Sequence, residues 1–289
     1  MKKIDKTAFI YLLGTSLSYG LFIVIQKMGL NAGLEPLSFI FSRSIIIVPI
    51  SLLLFSSRLK QIKLTKKSDI RNLLIIGIVS AIAILGTVIG QKFTTAINAG
   101  FLIRLTPLFV IPFAYLLLKK KYPRESILSM FLILIGTLIL TTNAQLIVPQ
   151  LGDLLIIFAA VAVAFQNVFA KSIMKNVNRD IVILFRLCAS GILLIIFIPF
   201  LLSGQILDAL WNGLNFVIIT AFLYLVSVFS QYRAIDLVGP FITTSFFLIG
   251  SLFSAFFAYI LLGEALTLIQ WIGAVGIIVG GYLLAKVGD

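Results

Sequence analysis

The chain has 289 residues, of which 61% are apolar and only 11% are charged, and its formal net charge is +13. An ordinary soluble domain carries about 25% charged and about 45–50% apolar residues, so this composition excludes water as the main solvent. Nucleic-acid binding would gather the basic residues on one face or arm, whereas here they lie between apolar runs. We therefore expect a lipid bilayer as the surroundings and no nucleic-acid partner.

The sequence offers few residues of the kinds that catalyse reactions or bind metals. There is no histidine, and Cys188 is the single cysteine, so neither an intrachain disulfide nor a Cys/His metal site can form. We also find no nucleophile–base pair of the kind that an intramembrane enzyme needs. The sequence predicts a protein without catalytic residues, metal or cofactor.

Apolar runs long enough to cross a hydrocarbon core of about 30 Å as helices follow one another along the chain. The first half contains five of them: Ala8–Met28, Leu37–Phe55, Leu73–Gly90, Ala96–Leu118 and Ser126–Thr141. The second half repeats the pattern: Asp153–Ala170, Ile181–Leu202, Phe216–Gln231, Gly239–Leu262 and Leu268–Ala285. The first run is longer than the apolar region of a signal peptide and shows no cleavage site, so we expect it to be a retained span.

The distribution of Lys and Arg predicts the orientation of these ten spans. With a cytoplasmic N-terminus, 18 basic residues fall in inside segments and one, Lys92, falls in an outside loop. This agrees with the positive-inside rule, and one span more or fewer would reverse every later loop. We expect a multi-pass protein of the cell membrane with both termini in the cytoplasm.

The two halves, 1–145 and 146–289, are related in sequence. A shift of 144 residues places Phe113–Leu118 over Phe257–Leu262 with five identities in six positions, and a shift of 143 pairs Arg43 with Arg186. Since each half has five spans, the second must enter the membrane from the opposite side. The predicted fold is an all-α integral membrane protein of ten helices in two inverted five-helix repeats, which is typical of secondary transporters.

Short motifs carry a family resemblance. The segment Leu262-Gly263-Glu264, followed by Gln270-Trp271-Ile272-Gly273 and Gly280, resembles the end of each half in the drug/metabolite transporter superfamily, in its ten-span EamA-type group. Gly152-Asp153-Leu154-Leu155 resembles the start of the second half. The pattern departs at Lys119-Lys120, where the first half of the family has Gly-Glu. The resemblance implies export of amino acids, purines or other metabolites, and exchange of phosphorylated sugars in plastid relatives.

Charged side chains at membrane depth tend to face a cavity or a partner. Arg104 is our first candidate for the substrate path, because Pro107 lacks the amide that would bond the carbonyl of Ile103 and so weakens the helix there. The other predicted substrate-binding residues are polar: Tyr19, Gln26, Lys27, Gln91, Asn98, Gln166, Asn167, Gln231, Tyr232 and Thr244.

Several of these polar residues also have a structural interpretation. Arg43 and Arg186 are expected near opposite ends of the membrane, where they would extend towards its surfaces. Lys27 and Lys171, at span ends, suit an anchoring role, and single Ser or Thr residues commonly bond to their own helix. The glycines from Gly273 to Gly281 suit close helix packing.

The sequence predicts a secondary transporter, and an exporter, that moves a small polar metabolite such as an amino acid across the cell membrane. The predicted mechanism is alternating access by rocking of the two halves. A cationic interior favours a carboxylate or phosphate on the solute. Exchange of phosphorylated or nucleobase-type metabolites is one alternative, and a lipid-handling protein without solute flux is another. The expected partners are the solute and the bilayer, and the oligomeric state stays open.

Overall fold

A computed structural model of the chain describes residues 5–62, 66–91, 93, 102–144, 150–201, 207–263 and 265–287. Within these ranges the regular structure is helical. Short helices connect the main ones at Ser56–Arg58, Leu59–Ile62 and Asp208–Asn212. The main helices are α1 Lys6–Asn31, α2 Pro36–Leu54, α3 Lys67–Gln91, α4 Thr106–Leu118, α5 Arg124–Thr142, α6 Leu151–Ile173, α7 Arg179–Leu201, α8 Leu214–Phe247, α9 Gly250–Leu262 and α10 Leu268–Val287.

Seven of the described helices are long and apolar enough to cross a membrane, namely α1, α2, α3, α5, α6, α7 and α8. Shorter apolar helices occupy Ile103–Leu118, Gly250–Leu262 and Leu268–Leu284. Helices suit a bilayer because they satisfy their backbone hydrogen bonds internally. The predicted all-helical membrane fold is therefore confirmed, while the predicted total of ten spans is taken up below as a proposal.

The eighth and ninth predicted spans differ from the sequence interpretation. Helix α8 continues to Phe247, past the predicted end at Gln231, and is broken only at Gly239, which has φ +83° and precedes Pro240. A left-handed φ is cheap only for glycine, and proline cannot donate the next helical bond. The ninth span therefore begins as the last part of α8 and is interrupted again before α9, around Leu248 and Ile249.

The fourth span is interrupted at the equivalent place. A 3₁₀ turn, Ile103–Leu105, precedes α4, and the Thr106 hydroxyl donates a 2.6 Å hydrogen bond to the Ile103 carbonyl. This hydroxyl satisfies the acceptor that Pro107 leaves without its usual partner. The predicted disturbance of the helix beside Arg104 is thus confirmed.

The structure supports the 144-residue shift directly. Helices α4 and α9 have 13 residues each, begin 144 positions apart and end at left-handed residues, Lys119 (φ +56°) and Gly263 (φ +69°). Where the second half has the permissive glycine, the first half holds a lysine in a conformation that costs about 1–2 kcal/mol. The departure from the family motif at Lys119 therefore leaves the geometry of the turn unchanged.

Repeat-related helices α5 and α10 pack against each other in opposite directions. Gly136 lies beside Gly273, whereas Gly280, further along α10, lies beside Ile133 and the carbonyl of Ser129. Small residues allow this close approach, as the sequence predicts for the α10 glycines. Antiparallel packing of equivalent helices is what an inverted repeat requires.

The packing does not divide the molecule at the boundary between the halves. Helix α1 packs mainly along α8 and α9 of the second half, and α6 packs mainly along α3 and α4 of the first. Helices α2 and α7 pack together and complete the interior. We call α1, α8 and α9 the first group, and α3, α4 and α6 the second group. The packing therefore favours movement of these two groups relative to each other, while the rocking of one half against the other stays a prediction.

Candidate functional site

An arginine pair shares one aromatic ring in the interior. The guanidinium carbon of Arg43, on α2, lies 5.0 Å from the ring centroid of Tyr224, on α8, and that of Arg186, on α7, lies 6.0 Å from the same centroid. The expectation that the two arginines lie near opposite ends of the membrane is therefore wrong. Each lies a few residues after the start of its span, and the two starts are expected on opposite sides of the membrane, yet both guanidinium groups reach the same ring of α8.

Each guanidinium group bonds to an amide rather than to a carboxylate. Arg43 Nη1 donates to Gln26 Oε1 at 3.1 Å, and Arg186 Nη1 lies 3.4 Å from Gln231 Oε1. Arg43 is 5% exposed and Arg186 is 9% exposed. Within the described part of the chain neither arginine forms an ion pair, and Arg186 Nε has no hydrogen-bond acceptor. These are two buried positive charges without a countercharge.

Aromatic rings surround the arginine pair. Arg43 also lies 5.0 Å from the ring of Phe22, and Arg186 lies 5.1 Å from the ring of Tyr232. Such cation–π contacts contribute about 0.5–2 kcal/mol each when they are shielded from water. They help the fold to tolerate the charges but leave the guanidinium donors available to an anion.

Tyr19 connects this pair to Arg104. Its ring lies 5.3 Å from Phe22 and 4.4 Å from Phe247. The guanidinium groups of Arg43, Arg104 and Arg186 all lie within electrostatic range of its phenol. The predicted residues Tyr19, Gln26 and Arg104 therefore converge on one interior region, which we call the arginine site and define by Arg43, Arg104, Arg186, Tyr19 and Tyr224.

The second half contributes a neighbouring polar pair. Gln166 Nε2, on α6, donates a 2.9 Å hydrogen bond to the hydroxyl of Tyr232, which is fully buried. The adjacent Asn167 is 1% exposed, and neither atom of its amide has a hydrogen-bond partner among the described residues. The sequence selected all three residues, and the structure joins Gln166 and Tyr232 to the arginine site through Arg186.

Other predicted residues lie elsewhere. Lys27 is exposed, and the Thr244 hydroxyl bonds to the carbonyls of Pro240 and Phe241 in its own helix. Asn98 and the side chain of Gln91 lie outside the described part of the chain. Tyr224 was missed, because a single tyrosine within an apolar run carries no signal of its neighbours.

The arginine site is closed in this conformation. A cavity of about 10 Å³ lies beside Arg43 and Tyr224, bounded by Ser44, Ser190 and Gly191 among others. Solute sites typically measure about 300–1,000 Å³, so the helices must separate before a solute can enter. A space of about 520 Å³ is lined by other residues, none of them an arginine of this site: Gln61, Lys66, Ser68, Asp69, Asn176, Val177, Asn178 and Ile181. We place the candidate site at the arginines, and not in the larger surface groove, because buried charges without a partner are stabilised by an anionic ligand.

Replacing Tyr224 tests the shared ring. We expect Tyr224→Phe to keep both cation–π contacts and to unfold within about 1 °C of the wild type. Tyr224→Leu should lose both contacts, about 1–3 kcal/mol together, and unfold several degrees lower. Thermal unfolding in detergent measures the difference, and equal melting temperatures for the two variants would show that the ring does not stabilise the arginines.

A second group of charges ties helices together at one end of the bundle. Asp180, at the start of α7, lies 3.0 Å from Arg233 of α8 and 3.3 Å from Arg58, which follows α2. Asp236 lies 2.6 Å from Arg179, and Lys171, at the end of α6, donates to its backbone carbonyl beside the Gly239 break. We call these six residues the ionic network. It joins helices of both groups at the end where the sequence predicts the cytoplasmic segments.

An all-helical, membrane-spanning bundle with unpaired cations in its interior is typical of membrane transport proteins. A family model for the EamA-like transporter family matches the chain twice, over residues 6–142 and 150–286. The chain belongs to this family, and its resemblance to EamA-type transporters is thereby confirmed.

The similar proteins are described as transporters, but their names give no solute. An uncharacterized transporter of Clostridium kluyveri is 26% identical over 292 residues, covering 96% of this chain and 93% of the relative. Another, of Methanothermobacter thermautotrophicus, is 26% identical over 226 residues, covering 76% of this chain but only 65% of the relative, less than two thirds of its length. A solved crystal structure with 15% identity and a TM-score of 0.79 covers 96% of both chains and shows the same fold.

Proposed function

We propose that this protein is a secondary transporter of the cell membrane that carries a small, carboxylate-bearing metabolite such as an amino acid. The observation that supports this is the arginine pair, buried at 5% and 9% exposure without a carboxylate partner among the described residues. Buried charges are strongly unfavourable unless they are paired. An anionic group on the solute supplies the missing partner at the moment of binding.

Transport then proceeds by alternating access. The arginine site takes Tyr19 and Tyr224 from the first group (α1, α8 and α9) and Arg104 from the turn before α4 of the second group, while Arg43 and Arg186 belong to α2 and α7. Relative movement of these groups would open the closed site to one side of the membrane at a time. We propose ten spans for this arrangement, with the interrupted fourth and ninth spans counted as one each and both termini in the cytoplasm.

Replacing Arg104 tests the proposal. In proteoliposomes loaded with a panel of labelled solutes, we expect carboxylate-bearing solutes to exchange and organic cations not to. Arg104→Ala should reduce the rate at least tenfold, because charge-assisted hydrogen bonds contribute about 1.5–3 kcal/mol, and Arg104→Lys should retain part of it. Arg124→Ala, which removes an exposed charge at the start of α5, is the matched control. Uptake unaffected by Arg104→Ala would exclude that residue from the site.

We also propose that the direction of transport is export, out of the cytoplasm. Export requires that inside-out membrane vesicles accumulate the solute from their cytoplasmic face. Accumulation only in right-side-out vesicles would indicate import. Measuring protons moved per solute in the same vesicles distinguishes proton coupling from exchange.

A further inference from the structure

We infer that the solute carries two separate anionic groups, as a short dicarboxylate does, rather than one. This inference rests on the proposed transport function and narrows its substrate class. It starts from the number and placement of charges in the arginine site, which a solute with a single carboxylate compensates only in part.

The interior holds more than one uncompensated cation. Arg43 and Arg186 are each more than nine-tenths buried, and neither forms an ion pair within the described part of the chain. The ion pairs of the described carboxylates are formed with Arg58, Lys171, Arg179 and Arg233, and not with Arg43 or Arg186. A zwitterionic amino acid adds no net charge to this region, whereas a dianion neutralises the arginine pair.

The two guanidinium groups are held as separate binding positions. Arg43 bonds to Gln26 of α1 and Arg186 bonds to Gln231 of α8, while the ring of Tyr224 contacts both. Since each group has its own amide partner and its own helix, we assign one anionic group of the solute to each of them. Two anionic groups joined by a short carbon chain match this arrangement better than two charges on one phosphate.

Both guanidinium groups keep N–H donors that can bond to such a solute. A guanidinium group has five N–H donors, and only one on Arg43 and one on Arg186 bond to a side chain in the described structure. Among the described residues, Arg186 Nε is buried without an acceptor, and neither the nitrogen nor the oxygen of the Asn167 amide has a hydrogen-bond partner. A carboxylate accepts up to four hydrogen bonds and pairs with arginine in a bidentate manner.

Succinate and its monoamide, succinamate, provide a matched pair of probes. They have nearly the same shape and differ by one negative charge. We expect succinate to bind the purified protein about ten- to hundred-fold more tightly, measured by solute-dependent shifts in thermal unfolding and by competition in proteoliposomes. Arg43→Gln and Arg186→Gln should each remove this preference, Arg43→Lys and Arg186→Lys should retain part of it, and Arg124→Gln should leave it unchanged.

Each result has a defined meaning. Equal affinity for succinate and succinamate, or a preference that survives both glutamine variants, would overturn the inference. If alanine exchanges well and neither dicarboxylates nor other dianions do, the transport function stands and the dianion inference fails. Preference for glycerol 3-phosphate over succinate would also overturn it, because both charges then reside on one group. If no anionic solute of any class moves, the proposed function itself fails.

The variants are informative only when folded. Unfolding temperature and elution as a single species, without solute, identify any variant that has lost its structure. For such a variant the lysine substitution at the same position replaces it, since lysine keeps the charge but cannot form the bidentate contact. Reduced discrimination in a folded lysine variant supports the inference, and undiminished discrimination contradicts it.

Discussion

Replacing Gly273 by alanine is expected to destabilise the protein by about 2–3 kcal/mol, the cost of overpacking a close interface. A Cβ atom at this position would lie 2.6 Å from the carbonyl oxygen of Gly136 and 2.7 Å from the backbone nitrogen of Leu140. Both neighbours are backbone atoms, so no side-chain rotation relieves the clash. Helices α5 and α10 must move apart along their contact.

Gly276 provides the matched control, because it lies on the same helix and faces the same partner. Its added Cβ would approach no heavy atom closer than 3.4 Å, the distance to Gly136 Cα, which is ordinary contact. Alanine also favours a helix over glycine by up to about 1 kcal/mol. We expect Gly276→Ala to unfold at or above the wild-type temperature and Gly273→Ala about 4–10 °C below it. Similar melting temperatures for the two variants would contradict the α5–α10 packing.

This interface shows how far sequence reasoning reaches. The spacing of the α10 glycines indicates packing, and the repeat aligns Gly136 with Gly280, but neither observation says that α5 and α10 are partners. Apolar helices in a bilayer carry no polar face that would reveal a neighbour. Helix positions follow from composition and length, while helix pairing depends on contacts distant in sequence.

The interrupted spans were predictable to different degrees. Pro107 predicts the interruption of the helix beside Arg104, because proline lacks the amide proton that would bond the carbonyl of Ile103. This effect is local and can be read from the sequence. The break between α8 and α9 has no proline in it, and its place follows from the packing of α1, where the Ser16 hydroxyl bonds to the carbonyl of Phe246. Because the contact with Ser16 of α1 determines that break, the sequence around Leu248 does not predict it.

The sequence predicted some residues of the candidate site and missed others. Arg104, Tyr19 and Gln26 were selected because polar groups at membrane depth are rare and costly. Arg43 was assigned to a membrane surface by counting residues from its span end, which ignores the side chain's reach and the helix crossing. The ring of Tyr224 that unites the arginines shows only when the helices are assembled.

Removing the carboxylate of Asp180 is expected to have the second large effect on stability. This side chain is 10% exposed and faces the guanidinium groups of Arg58 and Arg233 at 3.3 and 3.0 Å, with that of Arg179 at 3.9 Å. In Asp180→Asn these cations lose their common partner and repel one another. Breaking a fully buried pair costs about 3–5 kcal/mol, and the partial exposure of the arginines reduces this to about 2 kcal/mol.

Comparison with Asp236→Asn, the other carboxylate of the ionic network, separates the effect of the more buried carboxylate from that of the more exposed one. Asp236 is 33% exposed, so its loss should cost about 1 kcal/mol or less despite the 2.6 Å contact with Arg179. Asp5→Asn, at an exposed position with no side-chain cap bond, should leave the unfolding temperature unchanged. An Asp180→Asn variant as stable as Asp5→Asn would show that the ionic network contributes nothing to the fold.

The ionic network should also hold its end of the bundle closed, and the single cysteine can report this. Cys188 lies on α7, eight residues beyond Asp180, with its sulfur 3.9 Å from the Val48 carbonyl of α2. If Asp180 holds the start of α7 against α8 and the segment after α2, its loss lets water enter between α2 and α7. We expect a maleimide to label Cys188 several-fold faster in Asp180→Asn than in the wild type, and no faster in Asp5→Asn. An unchanged labelling rate in a destabilised Asp180→Asn protein would mean that the network stabilises the fold without closing the path to the arginine site.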